Sequence, residues 1–239
     1  LGNRFGIVGQ IDTEKRNRSS NQLGANYWIN GPSLVDTNVV LVSSLDLRDV
    51  TRINNRLNGL FVLDANIPDG NISLTNLYSR IDKDEIVHSN SYGIVQDSRS
   101  FGTSDIQRTL TVATNSLLYE QQFSGFKVDA FLTHSFSGSV TPRTLNWNFN
   151  EPNAFKNPDL NAAPEDVPSF ARNDTLDAFL TGVNMDSSAN KETEISHGVN
   201  VEFDFNFSRR VSAKIKLGNK YRTKRRYYDR FRRFSPLAW

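Results

Sequence analysis

The chain has no cysteine among its 239 residues, which excludes disulfides, thiolate metal centres and cysteine nucleophiles. Long apolar runs are also missing. With a hydrophobic fraction of 37% and a mean hydropathy of -0.50, no segment approaches the ~18 consecutive apolar residues of a membrane-spanning helix. A transmembrane barrel survives that test, because its strands place apolar residues only at every second position and are hydrophilic on average. The sequence begins at Leu1 without methionine, and no basic segment leads into an apolar stretch. The expectation is that a leader has been removed or that the chain is a piece of something longer.

Catalytic and metal signatures are scarce as well. There is no phosphate-binding glycine loop, no G-x-G-x-x-G and no G-x-S-x-G. His88, His134 and His197 fall on separate segments with no paired spacing, so neither a metal site nor a cofactor is expected. "DKDE" at 82–85 clusters carboxylates but lacks the glycine and distal glutamate of a calcium loop, and reads as a polar loop base. The chain is not expected to be an enzyme.

What it does have is alternation. In "VNVEFDFNFSRRVSAKIKLGNK", residues 199–220, Val199, Val201, Phe203, Phe205 and Phe207 oppose Asn200, Glu202, Asp204 and Asn206. After "SRR", Val211, Ala213, Ile215 and Leu217 oppose Ser212, Lys214, Lys216 and Gly218. That is a β-hairpin with one apolar and one polar face. Pairing Phe207 with Val211 sets Asp204 opposite Lys214 and Glu202 opposite Lys216, a ladder of opposite charges contributing about 0.2–1 kcal/mol each.

About seven such strands are predicted. "RFGIVGQIDTEKRNRSSNQLGANYW" starts apolar and turns polar, while "NRLNGLFVLDANI" puts Phe61, Leu63, Ala65 and Ile67 on one face. "PDGN" at 68–71 is a turn in which Pro68 presets φ and Gly70 accepts a positive one. "ISLTNLYSRIDKDEIV", the segment around 106–123 and "FKVDAFLTHSFSGSV" follow, and the hairpin closes the series. Tight turns at 68–71, 124–125 and 208–210 alternate with long polar connections around 16–55, 82–105 and 140–192. Only "PEDVPSFARNDTLDAFLTG" reads as a plausible helix. The plan is an all-β, antiparallel up-and-down transmembrane β-barrel segment with long loops at one rim. Phe61, Phe123, Phe126, Phe205 and Phe207 would form an interfacial girdle at the tight-turn end.

Four blocks carry a resemblance: "RFGIVGQIDTEKRNRSSNQLGANY", "LRDVTRINNRLNGLFVLDANIPDGNISLTNLYSR", "LTVATNSLLYEQQFSGFKVDAFLTHSFS" and "AKIKLGNKYRTKRRYYDR". In this order they resemble the barrel of TonB-dependent receptors, of the large kind with a carboxypeptidase-regulatory-like N-terminal extension. The resemblance spans about Arg4 to Arg230 and is one of running pattern. It implies an outer-membrane transporter with a barrel of ~22 strands and a plugged lumen. In such a receptor ligand is bound by extracellular loops and plug, then released inward by force from the inner-membrane TonB complex. No TonB box, plug or closing strand is present, so residues 1–239 are expected to be an internal part of one barrel domain.

On that expectation the long loops, above all 142–190, are extracellular and the tight turns periplasmic. Outer-membrane lipids, the rest of the receptor, TonB through the plug and a surface lipoprotein lid are the implied partners. Asn200, Glu202, Asp204, Lys214 and Lys216 would line the lumen. Trp147, Phe149 and Phe155, in "LNWNFNEPNAF", are candidates for ligand contact on the long loop, although a loop of that size also needs internal packing. The resemblance leaves siderophore, glycan, peptide and cobalamin equally open as ligands.

Two other classes fit parts of the sequence. A soluble or secreted β-sandwich binding module, for carbohydrate or protein, would also alternate in this way. The stretch from Arg209 to Arg233 carries twelve basic residues and one acid, Asp229, leaving 16 basic against 25 acidic residues elsewhere. With its interleaved Tyr and Phe it resembles a nucleic-acid track. Its alternation favours an outward continuation of the last strand, with Lys220 and Arg222 facing in and acidic neighbours beside it, and no nucleic-acid partner.

Overall fold

A computed structural model describes residues 4–29, 40–156, 158–159, 161–172, 175–208 and 211–235. Eight strands form one antiparallel sheet: β1 (Phe5–Asn17), β2 (Ser20–Ile29), β3 (Val40–Ile67), β4 (Gly70–Gly93), β5 (Ser98–Phe123), β6 (Phe126–Pro152), β7 (Phe179–Ser208) and β8 (Val211–Ser235). Their order is β1-β3-β4-β5-β6-β7-β8, with β2 also on β3, and the sheet is open. β1 and β2 lie end to end along β3, so eight strands make seven staves. The break falls at Arg18 and Ser19, where the Ser19 hydroxyl accepts the Arg52 amide at 3.3 Å. β1 and β8 run in the same direction, because each pairing between them is antiparallel.

Register assigns the side chains to two faces, since residues paired across an antiparallel ladder project from the same side. One face carries a band: Ile7 and Ile11 on β1, Leu57 to Ile67 on β3, Ile72 to Tyr78 on β4, Ala113 to Tyr119 on β5, Phe126 to Phe136 on β6, Ile195 to Phe205 on β7 and Ala213 to Tyr221 on β8. Among the described residues no element covers it, and Leu217 is 62% and Ile11 80% exposed. The other face is ionic and hydroxylic, apart from an apolar patch at the level of the band formed by Val8, Leu60, Val62, Leu77, Leu110, Val112, Leu118 and Phe131.

The sequence has strands running well past a bilayer and turning polar at the long-loop end, and in the structure they run further still. They are 24 to 30 residues long from β3 to β8, against the ~9–11 that cross a bilayer. Most of 40–55, 82–93, 98–105, 140–152 and 179–192 is therefore strand, not loop. "DKDE" at 82–85 belongs to β4. Beyond the band both faces turn polar, which erases the alternation, yet the backbone ladder needs no apolar side chain to continue. Ion pairs such as Lys83–Glu85 at 2.7 Å and Arg143–Asp105 at 3.0 Å hold this upper part together, with Arg52 also on Glu85.

Of the expected long connections, 94–97 is a four-residue turn, and 142–190 narrows to 153–178. The expected helix is only a 3-10 turn, Pro164–Phe170, with Pro168 inside it, because proline removes a donor and clashes with the preceding turn. The 153–178 segment folds back over the band-side face of the strand tops. Phe155, Val167 and Ala171 pack on Val42, Leu45, Tyr92 and Ile94 as a small core. Asp97, at φ 47, anchors it by accepting the Phe155 amide at 3.0 Å.

At the opposite end Ser208 pairs with Val211, one residue later than Phe207. A bulge between Asn206 and Ser208 absorbs the difference, so the predicted register above it is preserved. Arg209 and Arg210 lie outside the described residues, as does the Phe207 side chain expected in the girdle. Gly198 is among the glycines that are sterically required: a Cβ there would come within 2.6 Å of the Phe131 ring and 2.8 Å of the Asn219 carbonyl oxygen. Gly198→Val is expected to destabilise the sheet by about 1–3 kcal/mol, read as a lower unfolding temperature.

Candidate functional site

Two surfaces could carry function. The first is the ionic face of β7 and β8. Asp204 stands opposite Lys214 and Glu202 opposite Lys216, but the ion pairs run diagonally. Lys214 binds Glu202 at 2.5 Å and lies 3.7 Å from Asp204. Lys216 makes no ion pair among the described residues. Long side chains reach diagonal neighbours across a sheet as readily as direct ones, so backbone register alone does not fix the partner. Asn200 lies on the same face, over Gly218.

Further up, the basic run is largely matched by β7. Arg222 binds Glu194 at 2.5 Å, Lys224 and Arg226 bind Glu192 at 2.6 and 2.7 Å, and Arg230 and Arg232 bind Asp186 at 3.4 and 2.8 Å. Lys220 instead sits 5.8 Å from the Phe131 ring centroid, and Tyr221 projects from the other face beside His197. A hydrogen bond from Arg232, with the charge of Arg230 beside it, holds the Asp186 carboxyl below its ordinary value despite some loss of solvation. Hydrogen bonds from Lys224 and Arg226 do the same for Glu192.

Carboxyls held low in the folded protein contribute stability at all pH values above the carboxylate range and lose it as pH falls through that range. Upper β8, from Lys224 to Arg232, is therefore expected to loosen below about pH 4. Amide exchange there, corrected for intrinsic rates, should accelerate between pH 7 and 3.5 more than exchange in the uncharged part of the β4–β5 ladder, 72–79 against 112–119.

The second surface is a groove of about 900 Å³. It lies on the band-side face, near the strand tops, and β2, β3, β4, β5 and β6 all contribute to it. Its residues follow from register: Leu23 pairs with Leu47, Leu47 with Asn90, Asn90 with Phe101 and Phe101 with Phe149. Phe101 and Phe149 stack at 5.2 Å and 7°. Arg99, 7% exposed, lies over Phe101 at 5.4 Å and 2.7 Å from Glu151, which is 2% exposed.

Of the three aromatics expected on a loop, Trp147 and Phe149 are on β6, and Trp147 is half-buried opposite Thr103. Only Phe149 borders the groove. Phe155 is buried in the core beneath the 153–178 segment, where it serves the internal packing such a segment needs. Sequence reasoning missed Arg99, Asn90 and Glu151; the signal available was a charged residue at the same strand-end level as Phe101 and Phe149, visible only once the β5–β6 register is known.

His88 shares its Nδ1 with the Thr103 hydroxyl at 3.0 Å, and His134 and His197 stand on β6 and β7. Among the described residues no three His, Asp or Glu side chains converge as a metal ion would require. No helix among them is long and apolar enough to cross a membrane, which says nothing of strands. No protein-family model matches the chain, and no curated protein matches it.

Proposed function

We propose that this sheet is part of the wall of an outer-membrane β-barrel, a segment of a TonB-dependent receptor that imports a ligand such as a siderophore, glycan or peptide. The observation that carries the reading is the uncovered apolar band. It recurs on all seven staves at one level, 9 to 11 residues tall on β3, β6, β7 and β8, as a hydrocarbon layer requires. The stacked Phe123 and Phe126, with Phe203 and Phe205 beyond them, lie at its tight-turn border, where an aromatic girdle belongs.

In this reading the ionic face with Asn200, Glu202, Lys214 and Lys216 is turned to the lumen, the strand tops and the 153–178 segment stand outside the cell, and the tight turns are periplasmic. Because β1 and β8 are parallel, they cannot join in an all-antiparallel barrel; an odd number of further strands must stand between them. The plug, TonB acting through it and a lipoprotein lid are the partners that the resemblance contributes. The protein works by binding and passage, without catalysis.

A second reading, a β-sandwich binding module free of the membrane, draws on the apolar patch of Leu77, Leu110, Val112 and Leu118, which could meet another protein layer. Envelope fractionation separates the two. The receptor is expected in the outer-membrane fraction and in the detergent phase; recovery in the aqueous phase would end the barrel reading.

A further inference from the structure

We infer that the band-side face of β7 and β8, just above the apolar band, binds the phosphate groups of lipopolysaccharide in the outer leaflet. This rests on the reading of the band as the lipid-facing surface of a barrel. The observation behind it is how the basic run divides between the two faces of the sheet. Its even-numbered cations from Arg222 to Arg232 project from the ionic face, and each meets Glu194, Glu192 or Asp186 of β7. Its odd-numbered cations, Arg225 and Arg233, project from the band side, where β7 offers no carboxylate at any position from Val183 to Phe205. The two cations nearest the band, Arg225 on β8 and Lys191 on β7, are exposed and make no ion pair among the described residues. Asp229, the one acid of β8, lies on this face opposite Ala189 and pairs with neither.

Register brings the two cations together. Lys191 is paired with Tyr227 and Thr193 with Arg225, so Lys191 and Arg225 are diagonal neighbours about 7–8 Å apart at the backbone. Two like charges at that spacing repel unless an anion lies between them. On β4, β5 and β6 the same face carries its own counter-charges: Arg80 is held by Asp82 at 2.9 Å, Arg143 by Asp105 at 3.0 Å and Arg99 by Glu151 at 2.7 Å. Upper β7 and β8 therefore call for an anion from outside the sheet. An open pair of cations holds a free anion weakly, because water and salt screen it. The surface directly below changes that balance for an amphiphile. Ile195, Val199, Leu217 and Tyr221 are exposed there, so acyl chains can lie on the band while the headgroup stays between the cations. Arg225 stands one pleat above the level of Ile195 and Lys191 two, about 7 and 14 Å along a tilted strand, at headgroup height. A phosphate suits the pair, since its oxygens can take the fork of Arg225 and the ammonium of Lys191 together.

The test is native mass spectrometry of the full-length protein in nonionic detergent, titrated with lipid A carrying both phosphates and with the same lipid after dephosphorylation. The phosphorylated form should bind about tenfold or more tighter. Lys191→Gln/Arg225→Gln should abolish that difference and leave binding of the dephosphorylated lipid as it was, which also shows that the variant is folded. Lys191→Arg should keep the difference, and so should Lys15→Gln/Lys156→Gln, which removes the same amount of charge elsewhere. Inorganic phosphate and a single-stranded oligothymidylate, titrated in parallel, tell a lipid headgroup from a free anion and from nucleic acid. The inference is overturned if the two lipids bind equally, if the double variant at 191 and 225 keeps the preference, or if phosphate alone or the oligonucleotide binds these residues more tightly than lipid A. Binding of neither lipid overturns it as well. A tryptophan at Val199 then reports the band separately: quenched by brominated lipid if the receptor reading stands, unquenched if that reading has failed too.

Discussion

A tryptophan placed at Val199 should be quenched by brominated lipid, whereas one placed at Asn200 should not. The two positions are neighbours on β7, so they share depth and strand and differ only in face. Val199 is 47% exposed at the middle of the band, and its cross-strand partners are Ala130 and Asn219. Asn200 is on the ionic face near Asp129. If lipid covers the band, the first fluorophore sits in hydrocarbon. If a protein layer covers it, neither is quenched, and the barrel reading is lost.

Charge gives the same contrast as free energy. Val199→Arg should cost about 2–4 kcal/mol near the bilayer midplane, because an arginine there must be drawn out of hydrocarbon. Asn200→Arg gains carboxylate neighbours and should change stability by less than about 0.5 kcal/mol. Unfolding in urea from lipid vesicles reads both. Equal effects at the two positions would mean that the faces are not solvated differently.

The faces were legible in the sequence because one of them is apolar from Val199 to Phe205, where a period of two has something to mark. The register of the last hairpin was legible for the same reason, and the bulge near Phe207 displaced only its tip. The upper strands were not legible. Between Asp82 and Gly93, or between Thr141 and Pro152, polar side chains project from both faces, so a paired strand and a polar loop look alike in one dimension. What identifies these stretches as strand is the neighbour across the ladder, for instance Asp105 for Arg143. The same blindness hid the groove, whose members Arg99 and Phe149 are about 50 residues apart, with Leu23 further still. Of the two roles open to Phe155, ligand contact or internal packing, the structure shows packing, because such a segment keeps its shape by burying the few apolar residues it has.

Glu151→Leu should be among the most damaging single changes in the molecule, costing about 3–5 kcal/mol, because it leaves the Arg99 guanidinium buried without its counter-charge. The pair is not an efficient source of stability. Nitrogen and oxygen are 2.7 Å apart, but the Glu151 Oε2 makes no aligned hydrogen bond and the Arg99 Nε has no acceptor, so desolvation of both ions is only partly offset. Replacing both by leucine should therefore restore most of the loss, bringing the double variant within about 1–2 kcal/mol of the parent or above it. The readout should be local, since Glu151 is two residues before Asn153, where the covering segment turns with φ 51. Proteolysis within 156–172 should quicken in Glu151→Leu and return toward the parent rate in Arg99→Leu/Glu151→Leu. If the double variant is as labile as the single one, the cost lies in Glu151's packing and not in the orphaned charge.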